Sequence, residues 1–70
     1  MLMIPLRSKA LAEAGYDPAA HVLRVHFRNG RTYDYLDVPP DVWAGLRTSA
    51  HPWTEWGEYI KENFDVGPAL

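Results

Sequence analysis

The sequence predicts a small α+β domain in which an antiparallel sheet is followed by two helices. Apolar and polar residues alternate on both sides of Asn29-Gly30, and large apolar residues recur at helical spacing after Pro52. The chain has 70 residues, which are enough for one hydrophobic core. It has no cysteine, so it can form neither a disulfide nor a thiolate metal site. We therefore expect a single domain over residues 1–70.

Composition narrows the class of protein further. Hydrophobic residues make up 47% of the chain and the formal net charge is -2, unlike a disordered chain. The apolar run from Met1 to Leu6 is much shorter than a signal-peptide core or the ~20 residues of a membrane span. We expect a cytoplasmic protein that does not bind membranes, with a free energy of unfolding of roughly 3–10 kcal/mol.

The first element has two interpretations. Residues 8–14 are rich in Ala and Leu and carry Lys9 and Glu13 four positions apart, which favours a helix by intrinsic propensity. Asp17-Pro18 is typical of a turn, because Asp bonds nearby backbone and Pro fixes φ. An extended segment that ends at Tyr16 is therefore the alternative.

The next elements form a predicted β-hairpin. Residues 21–27 alternate, with Leu23, Val25 and Phe27 on one side, and residues 32–36 alternate again. Asn29-Gly30, between the two stretches, is the strongest short hairpin signal.

The turn decides where Tyr33 and Tyr35 point. If Asn29-Gly30 is a two-residue loop, both tyrosines lie among cations on the outer face, as on a nucleic-acid stacking surface. If residues 28–30 form a three-residue loop with a left-handed Gly30, the tyrosines share the apolar face of the preceding strand. We favour the second register, because each large side chain that it buries contributes ~1.5–3 kcal/mol. Its cross-strand pairs are Val25 with Tyr33 and Leu23 with Tyr35.

Two helices are predicted downstream. Val38-Pro39-Pro40-Asp41 ends the strand and starts a helix, since Pro is tolerated in a first helical turn. The buried positions of this helix are predicted to be Val42, Trp43 and Leu46. A second helix begins near Pro52, with an apolar stripe of Trp53, Trp56, Ile60 and Phe64. The predicted core spans about residues 8–64, and residues 65–70 are expected to be frayed.

The chain closely resembles the KTSC domain in an ordered set of motifs. These are Gly15-Tyr16-Asp17, Leu23-x-Val25-x-Phe27-x-x-Gly30 and Tyr33-x-Tyr35-x-x-Val38-Pro39, followed by Leu46. The family is named for its place at the C-terminus of some lysyl-tRNA synthetases. The resemblance covers about residues 8–64 and implies a small, mostly free-standing bacterial protein with no established activity and a suggested role in binding RNA.

The resemblance also bears on structure. It implies a strand at residues 11–16, despite their helical propensity, and hence a three-stranded antiparallel sheet (β-β-β) followed by two helices packed on one face. The motif residues are then expected to be mainly structural: Gly15, Tyr16, Asp17, Gly30, Tyr33, Tyr35, Val38 and Pro39.

No motif predicts catalysis or a cofactor. Neither serine, Ser8 or Ser49, lies in a nucleophile-elbow sequence. The three histidines, His21, His26 and His51, lack metal-ligand spacing, and the glycines are too isolated for a phosphate loop. We expect no catalytic residues, no metal site and no small-molecule cofactor.

The charge distribution suggests two kinds of partner. Residues 1–35 hold five Lys or Arg against three Asp or Glu, whereas residues 36–70 hold two against six. We expect a non-enzymatic domain that binds RNA or another nucleic acid, drawing on a basic set of Arg7, Lys9, Arg24, Arg28 and Arg31. The candidate contact residues are Lys9, Arg24, His26, Arg28 and Arg31. The alternative, suggested by the acidic second half and the sheet edges, is a protein-protein interaction module or homo-oligomer.

Overall fold

The computed structural model describes residues 1–67 as five strands and two helices. The strands are β1 (Met3–Pro5), β2 (Leu11–Asp17), β3 (Val22–Phe27), β4 (Thr32–Tyr35) and β5 (Val66–Gly67), and the helices are α1 (Pro40–Thr48) and α2 (Pro52–Asn63). The strands lie side by side in chain order, and every neighbouring pair is antiparallel. The predicted α+β class, with an antiparallel sheet and two helices, is confirmed.

The predicted number of strands was wrong, because the sheet has five strands and not three. β1 adds an edge beside β2, with Ile4 opposite Ala14. β5 adds the other edge beside β4, with Val66 opposite Tyr35. Val66 and Gly67 were expected to be frayed and instead pair with β4, while residues 68–70 lie outside the described residues. A strand of two or three residues is too short to show alternation, so only its partner identifies it.

β2 is a strand, as the family resemblance implied and against the helical propensity of its sequence. Both of its edges are paired, with β1 on one side and β3 on the other. Leu11 lies opposite Phe27 and Ala14 opposite Val25, and a bulge falls between residues 11 and 13. Pairing on both sides outweighs a propensity difference that is at most ~0.7 kcal/mol per residue.

The favoured hairpin register is confirmed and the two-residue loop is wrong. Val25 lies opposite Tyr33 and Leu23 opposite Tyr35. Gly30 has a φ of 94°, and its N–H donates to the Phe27 carbonyl at 3.0 Å. This left-handed conformation suits glycine, and it closes the three-residue loop that puts both tyrosines on the apolar side of the sheet.

The core lies between that side of the sheet and the two helices. Pro40 and Pro52 start the helices, where a missing N–H breaks no helical bond. The fully or nearly fully buried apolar side chains come from the sheet, the loops and both helices: Leu6, Leu11, Ala14, Leu23, Val25, Tyr35, Val38, Val42, Leu46 and Ile60. The predicted positions Trp43, Trp53, Trp56 and Phe64 are partly buried and pack against this cluster.

Neither of the two helices described in residues 1–67 is long and apolar enough to cross a membrane.

Candidate nucleic-acid interface

Tyr16 of the Gly-Tyr-Asp motif joins β2 to the start of α1. Its hydroxyl donates a hydrogen bond to the Val38 carbonyl at 2.5 Å, and its ring stacks on Trp43 with centroids 6.1 Å apart. Burial raises the pKa of this hydroxyl above its ordinary value, and the carboxylates of Asp17 and Asp41 raise it further. The phenol therefore stays protonated and keeps its bond to the backbone.

The other two motif residues act on backbone geometry. A Cβ on Gly15 would lie 2.7 Å from the Leu2 carbonyl oxygen, so glycine permits the N-terminal segment to lie close against β2. Asp17 Oδ1 accepts hydrogen bonds from the N–H groups of Ala19 and Ala20 at 3.0 and 3.2 Å. These two bonds order the turn between β2 and β3.

Tyr33 and Tyr35 belong to an aromatic cluster under the helices. Tyr35 is only 4% exposed, and its ring lies 6.3 Å from that of Trp53. Phe27 contacts both Tyr33 and Trp53 edge to face, at 5.5 and 5.3 Å between centroids. Neither tyrosine is therefore on the outer face of the sheet, where a base could stack on it.

Two of the five predicted contact residues face carboxylates on the outer face of the sheet. Arg24 donates two hydrogen bonds to Asp34, at 2.7 and 2.9 Å, and Asp34 is only 5% exposed. The hydrogen bonds to Asp34, followed by its charge, raise the pKa of Arg24. His26 Nδ1 lies 3.4 Å from Glu13 Oε1. These neighbours offset the positive charge that Arg24 and His26 could offer to a phosphate.

The other predicted residues come together at one end of the sheet. Arg28 Nε donates to the Ser8 carbonyl at 2.8 Å, and the Arg28 N–H donates to the Ala10 carbonyl at 2.9 Å. The Ser8 hydroxyl in turn accepts bonds from the N–H groups of Ala10 and Leu11. These bonds hold the β1–β2 loop against the β3–β4 turn. Together the two loops present four exposed cations, which we call the basic end: Arg7, Lys9, Arg28 and Arg31.

A groove of about 540 Å³ adjoins the basic end. Its lining comes from the β1–β2 loop and from the start of α2: Arg7, Ser8, Lys9, Ala50, His51 and Thr54. The N-terminus of α2 carries a partial positive charge, which also favours an anion. His51 and Thr54 were not predicted as contact residues, because only the packing of the β1–β2 loop against the start of α2 brings them beside Lys9.

Metal-binding side chains are not clustered in the described part of the chain. Within residues 1–67, no group of three or more His, Asp or Glu side chains is placed to hold a metal ion. No buried side-chain nitrogen or oxygen in this range lacks a hydrogen-bond partner. The arrangement offers cations and hydrogen-bond donors to an anion.

This small α+β fold, with its Gly-Tyr-Asp turn and paired tyrosines, defines a recognisable class of domain. The chain belongs to the KTSC domain family, which matches residues 7–64. Its fold is similar to that of a KTSC domain protein from Yersinia pestis, known from a crystal structure, with a TM-score of 0.89 and 26% identity over 99% of this chain and 97% of that one.

A protein of Tsukamurella paurometabola is also similar in sequence. It is 48% identical over 44 residues, which are 63% of this chain and 66% of that protein. The matched stretch thus covers just under two thirds of the relative's length.

Proposed function

We propose that this KTSC domain is a non-enzymatic nucleic-acid-binding module that holds single-stranded RNA through its phosphates. The observation that supports this proposal is the gathering of four exposed cations on two loops joined by the bond from Arg28 to Ser8. Ordered loops lose less conformational freedom on binding than mobile ones, so their charges are available at a smaller entropic cost.

The proposed contacts differ in part from those expected from the sequence. Lys9, Arg28 and Arg31 remain in the proposed site together with Arg7. His51 and Thr54 are added, because they line the groove beside Arg7 and Lys9. Arg24 and His26 are no longer proposed as RNA contacts, because their side chains face Asp34 and Glu13 on the sheet. The RNA phosphates would therefore lie at the basic end and not across the outer face of the sheet.

Titration of a fluorescein-labelled single-stranded RNA at two salt concentrations tests this proposal. Four phosphate contacts give a slope of about -2.8 in log affinity against log salt, so the affinity falls about 50-fold between about 50 and 200 mM salt. Lys9→Ala and Arg31→Ala should each weaken binding to every RNA sequence alike and flatten this slope by ~0.7.

Lys61→Ala is the matched control, since Lys61 is an exposed cation in the last turn of α2. It lies about 10 Å along the helix from Thr54, which lines the groove. The control should bind RNA like the unmodified protein. Absence of binding at the lower salt concentration, or an equal effect of Lys61→Ala, would refute the proposal.

A further inference from the structure

The helical side of the molecule has a surface that phosphate binding does not use. A groove of about 490 Å³ runs between α1 and α2. It is lined by two carboxylates, two aromatic rings and one aliphatic side chain: Asp41, Glu55, Trp56, Tyr59 and Val42. We call it the acidic groove.

The two aromatic rings of the acidic groove are held in place by contacts with α1 and with each other. Trp56 packs directly on Gly45 of α1, where a Cβ would overlap its indole ring. Tyr59 meets Trp56 edge to face, with centroids 5.9 Å apart and planes at 84°. Tyr59 is nevertheless 47% exposed. Fixed, partly exposed Trp and Tyr rings are typical anchors of protein interfaces.

No Lys or Arg side chain in residues 1–67 forms an ion pair with either carboxylate of the groove. In this range Arg24 pairs with Asp34, and His26 Nδ1 lies 3.4 Å from Glu13 Oε1. Glu55 accepts hydrogen bonds from the Ser49 hydroxyl and the His51 N–H. These bonds, the Ser49 bond foremost, lower the pKa of Glu55, so it is ionised at neutral pH.

Charge complementarity determines which partner fits. Two carboxylates beside two aromatic rings repel a phosphate and attract a Lys or Arg side chain, whose cation also binds ring faces. We propose that the acidic groove binds a Lys- or Arg-containing segment of a partner protein, with a basic side chain against Trp56 and Tyr59 and between the Asp41 and Glu55 carboxylates. This inference is independent of RNA binding at the basic end.

Nuclear magnetic resonance tests the inference directly. The probe is a short peptide of Lys, Arg, Gly and Ser, and its control is the same peptide with Gln at every basic position. The indole N–H signal of Trp56 should shift as the basic peptide is added. That of Trp53 should not, because Trp53 contacts Phe27 and Tyr35 and does not line the groove. The Gln peptide should shift neither signal.

Variants then locate the contact on the protein. Asp41→Asn and Tyr59→Ala should each lower the affinity for the peptide about two- to fivefold, as expected for the loss of one exposed ion pair or one cation–π contact. Glu58→Gln is the matched control, because Glu58 is an exposed carboxylate on α2 that does not line the groove. The affinity of Glu58→Gln for the peptide should equal that of the unmodified protein. Circular dichroism checks that Tyr59→Ala remains folded, and Asp41→Asn tests the same contact without removing packing.

Several results would overturn the inference. One is a Trp56 signal that stays unmoved, and another is an equal loss of affinity in Glu58→Gln. Lys9→Ala should bind the peptide as the unmodified protein does, and weaker peptide binding by this variant would show that the peptide contacts the basic end instead. The effect of Lys9→Ala on RNA affinity tests only the proposed function of the basic end. Self-association in sedimentation that Asp41→Asn abolishes would identify a second copy of this chain as the occupant instead.

Discussion

Arg24 and Tyr35 show at the scale of single residues how one hairpin separates scaffold from surface. Both belong to regular strands and both could contact RNA on chemical grounds alone. Tyr35 lies on the helix side and is buried, whereas Arg24 lies on the outer face and is bound by Asp34. Residue type therefore did not determine role here, because the strand face and the cross-strand partner did.

Tyr35→Ala should destabilise the protein strongly. The change removes a buried aromatic ring beside Trp53, and comparable truncations cost ~3–5 kcal/mol. That loss is a large part of the roughly 3–10 kcal/mol available to a domain of this length. Urea denaturation followed by tryptophan fluorescence measures this loss of stability, and a urea midpoint equal to that of the unmodified protein would contradict the buried position.

Tyr35→Phe is the control, because it keeps the ring and removes only the hydroxyl. Burial raises the pKa of Tyr35, and the neighbouring Tyr33 raises it further. A raised native pKa means that its contribution to stability is complete below the ordinary value of 10.0 and is lost as pH rises through the native value. Tyr35→Phe should therefore remain folded at neutral pH and lose less stability than the unmodified protein at alkaline pH.

At the scale of elements, the sequence predicted the hairpin and both helices because their signals are local. Asn29-Gly30 marks the turn, and the prolines at positions 40 and 52 mark the helix starts. β2 was ambiguous from the residues alone, since its alanines favour a helix when considered without the strands that pair with it. The family resemblance supplied that missing context.

Gly45→Ala should separate helix propensity from helix packing. Alanine favours an isolated helix by ~1 kcal/mol over glycine, but here its Cβ would overlap the Trp56 ring. Moving a packed indole typically costs ~1–3 kcal/mol, so we expect no gain and a net loss of stability. Urea denaturation measures the change.

Trp56→Leu provides the second half of a double-mutant cycle. In this background the space above Gly45 is no longer filled by an indole, and Gly45→Ala should become neutral or stabilising. The two changes should therefore be strongly non-additive. Additive effects would show that the contact between α1 and α2 does not depend on this close approach.

At the scale of the whole molecule, long-range contacts produced what the sequence did not predict. β1 and β5 lie at opposite edges of the sheet, and each is recognised only through its partner strand. The candidate site followed the same rule, since Lys9, Arg28 and Arg31 were predicted from charge whereas His51 and Thr54 were not. A local pattern reports a face or a turn, but not which loops meet.

Removal of residues 65–70 tests whether the C-terminal edge is part of the cooperative unit. The truncation removes the pairing of β5 with β4 and the 2.9 Å bond from the Leu36 N–H to the Asp65 carbonyl. Each lost backbone bond contributes ~0.5–1.5 kcal/mol, so two or three of them amount to about 1–4.5 kcal/mol. β4, which carries the buried Tyr35, would then become the edge strand of the sheet. The sheet and the helices share one core. In urea denaturation of the truncated protein, far-ultraviolet circular dichroism and tryptophan fluorescence should therefore show the same lowered midpoint. An unchanged midpoint would mean that β5 contributes nothing to stability, and two separate transitions would mean that the sheet edge unfolds independently of the helices.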